Sequence, residues 1–211
     1  MIKAVIFDLD GVLVFTDKFH YQAWKKMADG MGIYFDERIN NRLRGVSRMQ
    51  SLEIILERYQ GEPLSEERKI ELATEKNEEY RRLLNTMTPD DVSDEVRQTL
   101  RDIKARGYKI ALGSSSKNAK FILEKVNLLD VFDAISDGNN ITHSKPDPEV
   151  FVKAANFLNE KEENCLVVED AEAGIMAGIG GGMKTAAIGE AIECKKADYE
   201  LTQFKDLLMI L

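Results

Sequence analysis

Two aspartates stand two residues apart in Asp8-Leu9-Asp10-Gly11, directly after the apolar residues 2–7. Carboxylates at this spacing can divide labour: one attacks phosphorus while the other moves a proton to or from a sugar oxygen. Asp and Gly are also common turn formers, so the tetrapeptide alone reads more readily as a turn. Three further groups follow short apolar runs. Gly113-Ser114-Ser115-Ser116-Lys117-Asn118 offers hydroxyls and amides that suit an anion, or the N-cap of a helix. Lys145-Pro146 places a cation where charge on a transferring phosphate could be neutralised. Glu169-Asp170 puts two acids behind Leu166-Val167-Val168, which is costly unless a cation joins them. Mg²⁺ prefers oxygen ligands and grips phosphate, so it is the expected ion.

The elements that must position these groups are legible as five apolar runs, at residues 2–7, 109–112, 134–135, 166–168 and 185–188. The first and fourth are continuous and rich in Val and Ile, as central parallel strands covered on both faces should be. Between them Val96, Leu100 and Ile103 recur at helical spacing, with Gly107 placed as a C-terminal cap. Pro148 can open another helix through Phe151, Ala154, Ala155 and Leu158. Strand alternating with helix predicts a doubly wound, mostly parallel α/β sheet, with ligands beyond the carboxyl ends of the strands.

One segment breaks the alternation. Residues 15–88 show only helical periodicity, with helices expected over 16–30, 47–59 and 65–84, the last carrying Ile70, Ala73, Tyr80 and Leu84 as its apolar stripe. The expectation is an inserted all-helical cap domain at 15–88 and an α/β core at 1–14 and 89–211. Within the insertion Thr16, His20 and Trp24 are spaced by four and can share one helix face. Lys76 lies beside the stripe, where a charge either snorkels or faces a ligand. Packing alone is an alternative reading of Trp24, as a structural role is of His20.

Composition bounds the partners. The net charge is −8, with 44% hydrophobic and 31% charged residues, which fits a globular protein and disfavours nucleic acid. No apolar stretch reaches membrane-span length, and the start of the chain reads as a strand, not a signal peptide. Cys165 and Cys194 suggest no disulfide framework, so a cytoplasmic location is expected. A monomer is the default.

Taken together, the four strand-end groups resemble the haloacid dehalogenase superfamily: Asp-x-Asp, then Ser, then Lys, then an acidic pair. The resemblance covers nearly the whole chain and implies Asp8 as nucleophile and Asp10 as general acid/base. It places Ser114 and Lys145 on the transferring phosphate. Mg²⁺ would be held by Asp8, the Asp10 backbone carbonyl and Asp170, with Glu169 in support. It also makes the insertion a cap that closes over substrate. The cap is similar to that of the β-phosphoglucomutase family, in which the Thr16 and His20 positions couple closure to Asp10 with Lys76 nearby. There the loop matching Arg44-Gly45-Val46-Ser47-Arg48-Met49-Gln50-Ser51 holds substrate. That likeness implies substrate roles for Trp24, Arg44, Gly45 and Ser51. It puts Arg48 on the phosphate that is not transferred, with Ser116, Lys117 and Asn118 helping. It further implies a phosphorylated hexose substrate, β-glucose 1,6-bisphosphate as intermediate and activator, and exchange of β-glucose 1-phosphate with glucose 6-phosphate. A magnesium-dependent sugar-phosphate phosphatase is the alternative. Two departures stand out: Phe15 replaces a usual small polar or acidic residue, and Arg44 replaces a usual lysine.

Overall fold

The computed structural model describes residues 1–43 and 46–211, so the expectations for Arg44 and Gly45 lie outside the described residues. The chain divides into two compact units, residues 1–15 with 87–211 and residues 16–86.

The first unit is built on six parallel strands: β1 (Ala4–Phe7), β2 (Lys109–Gly113), β3 (Ala134–Ser136), β4 (Cys165–Glu169), β5 (Lys184–Ile188) and β6 (Tyr199–Leu201). Their order is β3-β2-β1-β4-β5-β6. The chain builds outward from β1 on one side, then crosses to begin again at β4. The strand order therefore reverses between β1 and β4, and ligands bind at that switch point in sheets of this kind. Every residue of β1 and β4 is buried, which is why β1 and residues 165–168 of β4 read as unbroken apolar runs, with the buried acid Glu169 at the end of β4.

Both sheet faces are covered. Ala4, Ile6, Cys165 and Val167 pack with Val150, Phe151, Ala154 and Ala155 of helix α7 (Glu149–Phe157). Side chains alternate along a strand, so Phe7 turns to the other face, where its ring stacks on Phe204 at 5.6 Å between centroids. Helix α5 (Asp94–Ala105) buries Val96, Leu100 and Ile103 as its spacing predicts. It closes with Gly107 at φ +88°, the Gly107 amide donating to Lys104 and the Tyr108 amide to Ile103. That pairing is the glycine-terminated helix end, and a side chain at this φ would be strained. Helices α6 (Ala119–Lys125), α8 (Glu172–Gly180) and α9 (Leu207–Ile210) complete the unit.

Among the described residues the second unit has α-helices and no strand: α1 (Asp17–Gly30), α2 (Glu37–Asn41), α3 (Arg48–Leu56) and α4 (Glu66–Leu84). Ser47 caps α3 in a reciprocal bond pair with Gln50, and Ser65 caps α4. Its own core includes Trp24, Met27, Phe35, Leu52, Ile55 and Leu72. The apolar stripe of α4 differs from expectation at one position: Leu72 is buried, whereas Ile70 is 56% exposed. Ile70 lies two residues from Leu72, about 200° around the helix, and cannot share its face.

Candidate active site

In the sheet unit the site grows from three strand ends. Asp8 follows β1, its amide bonded to the Val168 carbonyl of β4 at 3.0 Å. The chain then turns tightly: the Gly11 amide donates to the Val14 carbonyl at 2.7 Å, and the Leu13 and Val14 amides donate to Leu9. Gly11 has φ +82°, and a Cβ there would stand 1.9 Å from Asp170 Oδ2. Glycine is thus required twice, for the backbone angle and for the close approach of an acid.

Lys145 joins the acids. Its Nζ donates to Asp8 Oδ1 at 2.5 Å and to Glu169 Oε1 at 2.5 Å, with all three side chains nearly buried. Burial disfavours the Lys145 ammonium, but Asp8 and Glu169 outweigh it and hold its proton above the ordinary lysine range. The Lys145–Pro146 peptide is cis. Glu169 Oε2 also accepts the Ala171 amide at 2.9 Å. Burial raises the Glu169 pKa, Lys145 opposes the rise, and Asp8 adds to it. Asp170 is raised further, to about 8, by burial, then by Glu169 and Asp8.

Asp8, Glu169 and Asp170 each bring a carboxylate oxygen within 4.8 Å of the others. One lysine faces these three acids, so the cluster carries an excess of negative charge in a poorly solvated place. Oxygen donors only, crowded and electrostatically unsatisfied, fit a hard divalent cation. A second group, His143, Asp147 and Glu149, also meets the distance criterion but is mostly exposed. There Glu149 Oε2 accepts the Thr142 and His143 amides and Oε1 meets Lys153, which makes it a brace for the start of α7.

Beside Asp8 the β2 end supplies hydroxyls. Ser114 is buried, and its Oγ accepts the Ser116 amide at 3.2 Å, while Ser116 Oγ accepts the Asn118 amide at 3.2 Å. Each hydroxyl that accepts an amide keeps its own proton for another acceptor. Asn118 occupies the N-cap of α6 with no side-chain cap bond, and Lys117 is exposed. Phe15, at the end of this unit's first segment, is 73% exposed.

In the helical unit the residues expected to act together do meet. Lys76 is only 3% exposed, and its Nζ lies 3.0 Å from His20 Nδ1. The ammonium also sits 4.6 Å from the ring centroids of Trp24 and Tyr80. Trp24 is a buried core residue whose face holds Lys76. Burial, then the Lys76 and Arg48 charges, hold the His20 pKa well below the usual imidazole value. Arg48, the first residue of α3, donates from Nη2 to Asn77 Oδ1 at 2.8 Å. Ser51, one turn on, is buried. Thr16 holds the N-cap position of α1 without bonding a helix amide, and its Oγ1 accepts from the Tyr80 hydroxyl at 3.2 Å.

Sequence reasoning overlooked two participants. Tyr80 was legible only as an apolar stripe member, since spacing says nothing of where a hydroxyl points. Asn77 gave no signal beyond standing next to Lys76.

Comparison with known proteins places this geometry. A haloacid dehalogenase-like hydrolase family model matches residues 2–182. A β-phosphoglucomutase of Bacillus subtilis is 40% identical over 98% of this chain and 92% of its own. A phosphorylated carbohydrates phosphatase of Thermotoga maritima is 30% identical over 86% of this chain and 82% of its own. Among solved structures, a β-phosphoglucomutase from Clostridium difficile superposes with a TM-score of 0.91 at 40% identity, covering 98% of this chain and 93% of that one.

Proposed function

The chain belongs to the haloacid dehalogenase-like hydrolase family, and from that premise we propose that it is a phosphoryl-transfer enzyme of β-phosphoglucomutase type. The observation that carries the choice is the guanidinium of Arg48, half-buried in the helical unit and steered by Asn77. A mutase must hold two phosphates of one sugar, whereas removal of a phosphate needs only one such site. Asp8, Ser114 and Lys145 are assigned to the transferring phosphoryl group. Arg48 is assigned to the other phosphate, with Ser116, Lys117 and Asn118, since a planar guanidinium suits bidentate phosphate binding.

In this reading Asp8 carries the phosphoryl group as an aspartyl-phosphate. The 6-hydroxyl of β-glucose 1-phosphate attacks phosphorus, the bond to Asp8 breaks, and Asp10 takes the hydroxyl proton. The β-glucose 1,6-bisphosphate then presents its 1-phosphate. Asp8 attacks that phosphorus, the bond to the C1 oxygen breaks, and Asp10 returns the proton to the leaving oxygen. Glucose 6-phosphate and phosphorylated Asp8 result, so atoms and charge balance over the cycle. Lys145 offsets charge around Asp8, and positioning supplies most of the rate. Mg²⁺, when bound by Asp8, Asp170 and the Asp10 carbonyl with Glu169 behind them, would supply further charge neutralisation of the phosphoryl oxygens.

Arg48→Ala tests the two-site assignment. Mutase turnover should fall roughly a hundredfold, as loss of about 3 kcal/mol of charge-assisted hydrogen bonding implies. Phosphorylation of Asp8 by a small donor such as acetyl phosphate should persist. Unchanged mutase turnover would refute the assignment. The Thermotoga relative keeps open a second reading, a sugar-phosphate phosphatase in which water attacks phosphorylated Asp8.

A further inference from the structure

We propose that Asn139, in the turn after β3, is a positioning residue that fixes the main chain of residues 116–118 and so sets how tightly a phosphorylated sugar is held there. The inference deepens the function proposed above and rests on it for the role of that loop.

The turn is anchored before it reaches the loop. Ser136 is fully buried, and its Oγ donates to Asn140 Oδ1 at 3.1 Å. Asp137 is 1% exposed, and its Oδ1 accepts the Asn139 amide at 2.9 Å while its carbonyl accepts the Asn140 amide at 3.0 Å. An aspartate that binds the amide two residues on makes a side-chain turn, which fixes the main chain from which Asn139 projects. Lys153 of α7 donates to the Asn140 carbonyl and ties the turn to a helix of the core.

Three bonds then join this segment to the loop after β2. The Ser114 amide donates to the Ser136 carbonyl at 3.1 Å, and the Gly138 amide donates to the Ser116 carbonyl at 3.2 Å. Asn139 Nδ2 donates to the Lys117 carbonyl at 3.0 Å. Two successive peptide units of the loop are therefore held by their carbonyls. In a planar trans peptide the N–H opposes the C=O, so the same bonds orient the amides of Lys117 and Asn118. Gly138 permits the approach, since a Cβ there would stand 2.4 Å from the Ser115 carbonyl oxygen and 2.9 Å from the Lys117 nitrogen. Of the three bonds only the one to Lys117 comes from a side chain. The identity of residue 139 thus decides whether that carbonyl is held, and Asn139 need touch no substrate to do so.

Steady-state kinetics with β-glucose 1-phosphate, set beside phosphorylation of Asp8 by acetyl phosphate, test the assignment. Asn139→Ala removes the bond and should raise KM roughly threefold to tenfold, the size expected for one hydrogen bond. Asn139→Asp sets a carboxylate against the Lys117 carbonyl and should raise it further, with kcat within about twofold of wild type in both. Acetyl phosphate has no sugar and no second phosphate, so its rate with both variants should match wild type. Gly138→Ala, which presses on Ser115 and Lys117, should raise KM in the same sense. An unchanged KM in Asn139→Asp, or an equal loss with acetyl phosphate, would overturn the proposal. If Asn139→Asp does not fold, Asn139→Ala decides alone. Lys117→Ala separates the inference from the reading beneath it: a raised KM there with none in Asn139→Asp strikes Asn139 alone. Should the protein prove to be a phosphatase, the sugar-phosphate KM set against the acetyl phosphate rate still judges Asn139, while the mutase assignment falls separately.

Discussion

Three carboxylates around one lysine set the chemistry of the sheet unit at the residue scale. Lys145 binds Asp8 and Glu169, and Asp170 stands outside that pairing with its pKa raised to about 8. The sign of the stability effect follows. A carboxyl whose folded pKa exceeds its unfolded value binds more protons in the native state between the two values, so stability falls as pH rises through that window. In chelator, the melting temperature should decline from about pH 4 toward pH 8, since unfolded carboxyls titrate near 4. Mg²⁺ binds the deprotonated acids, so its stabilisation should be larger at pH 8 than at pH 5. Calorimetry at the two pH values, with and without Mg²⁺, reads this directly. Equal metal-induced shifts would contradict it. Asp8, Lys145 and Glu169-Asp170 were visible in sequence because each directly follows, or lies beyond, a recognisable apolar run. Tyr80 and Asn77 were not, because their partners stand on other elements, Thr16 at the start of α1 and Arg48 on α3.

At the scale of elements, helix α8 sits close against the sheet because Gly174 and Gly178 leave room. A Cβ at Gly174 would fall 1.9 Å from Glu169 Cδ, and one at Gly178 would fall 2.7 Å from Thr185 Cγ2. Alanine at either position should destabilise the protein by about 1–3 kcal/mol, the usual cost of overpacking. The two should differ in activity. Gly178→Ala presses on β5 and should largely retain kcat, whereas Gly174→Ala displaces the Glu169 carboxylate from Lys145 and should lower it at least tenfold. Equal kcat in the two variants would argue that Glu169 needs no fixed position. Among the described residues, five of the six strands and three of the four α-helices of the insertion were legible in the sequence. Strand β6, Tyr199-Glu200-Leu201, is a three-residue edge strand with an exposed acid at its centre, too short to show a period. Helix α2 is five residues with one apolar side chain, and its N-cap Asp36 accepting the Ile39 amide is its clearest mark.

On the scale of the whole molecule, two units with separate cores divide the assigned work. The sheet unit holds the groups that would make and break the bond to phosphorus, and the helical unit holds the buried Lys76–His20 contact and the Arg48 guanidinium. Neither set is long in sequence: the sheet-unit groups lie at residues 8–10, 114–118, 145 and 169–170, brought together because β1 lies between β2 and β4. That convergence is what made the order of motifs readable before any fold was known. The substrate was less legible, since it depends on which side chains α1, α3 and α4 turn toward one another. It is also the point on which mutase and phosphatase part.

The most direct test gives the purified protein Mg²⁺, β-glucose 1-phosphate and a trace of β-glucose 1,6-bisphosphate, and follows glucose 6-phosphate and free phosphate together. Glucose 6-phosphate forming well ahead of phosphate is the predicted result. Phosphate released with little or no glucose 6-phosphate would contradict the mutase assignment.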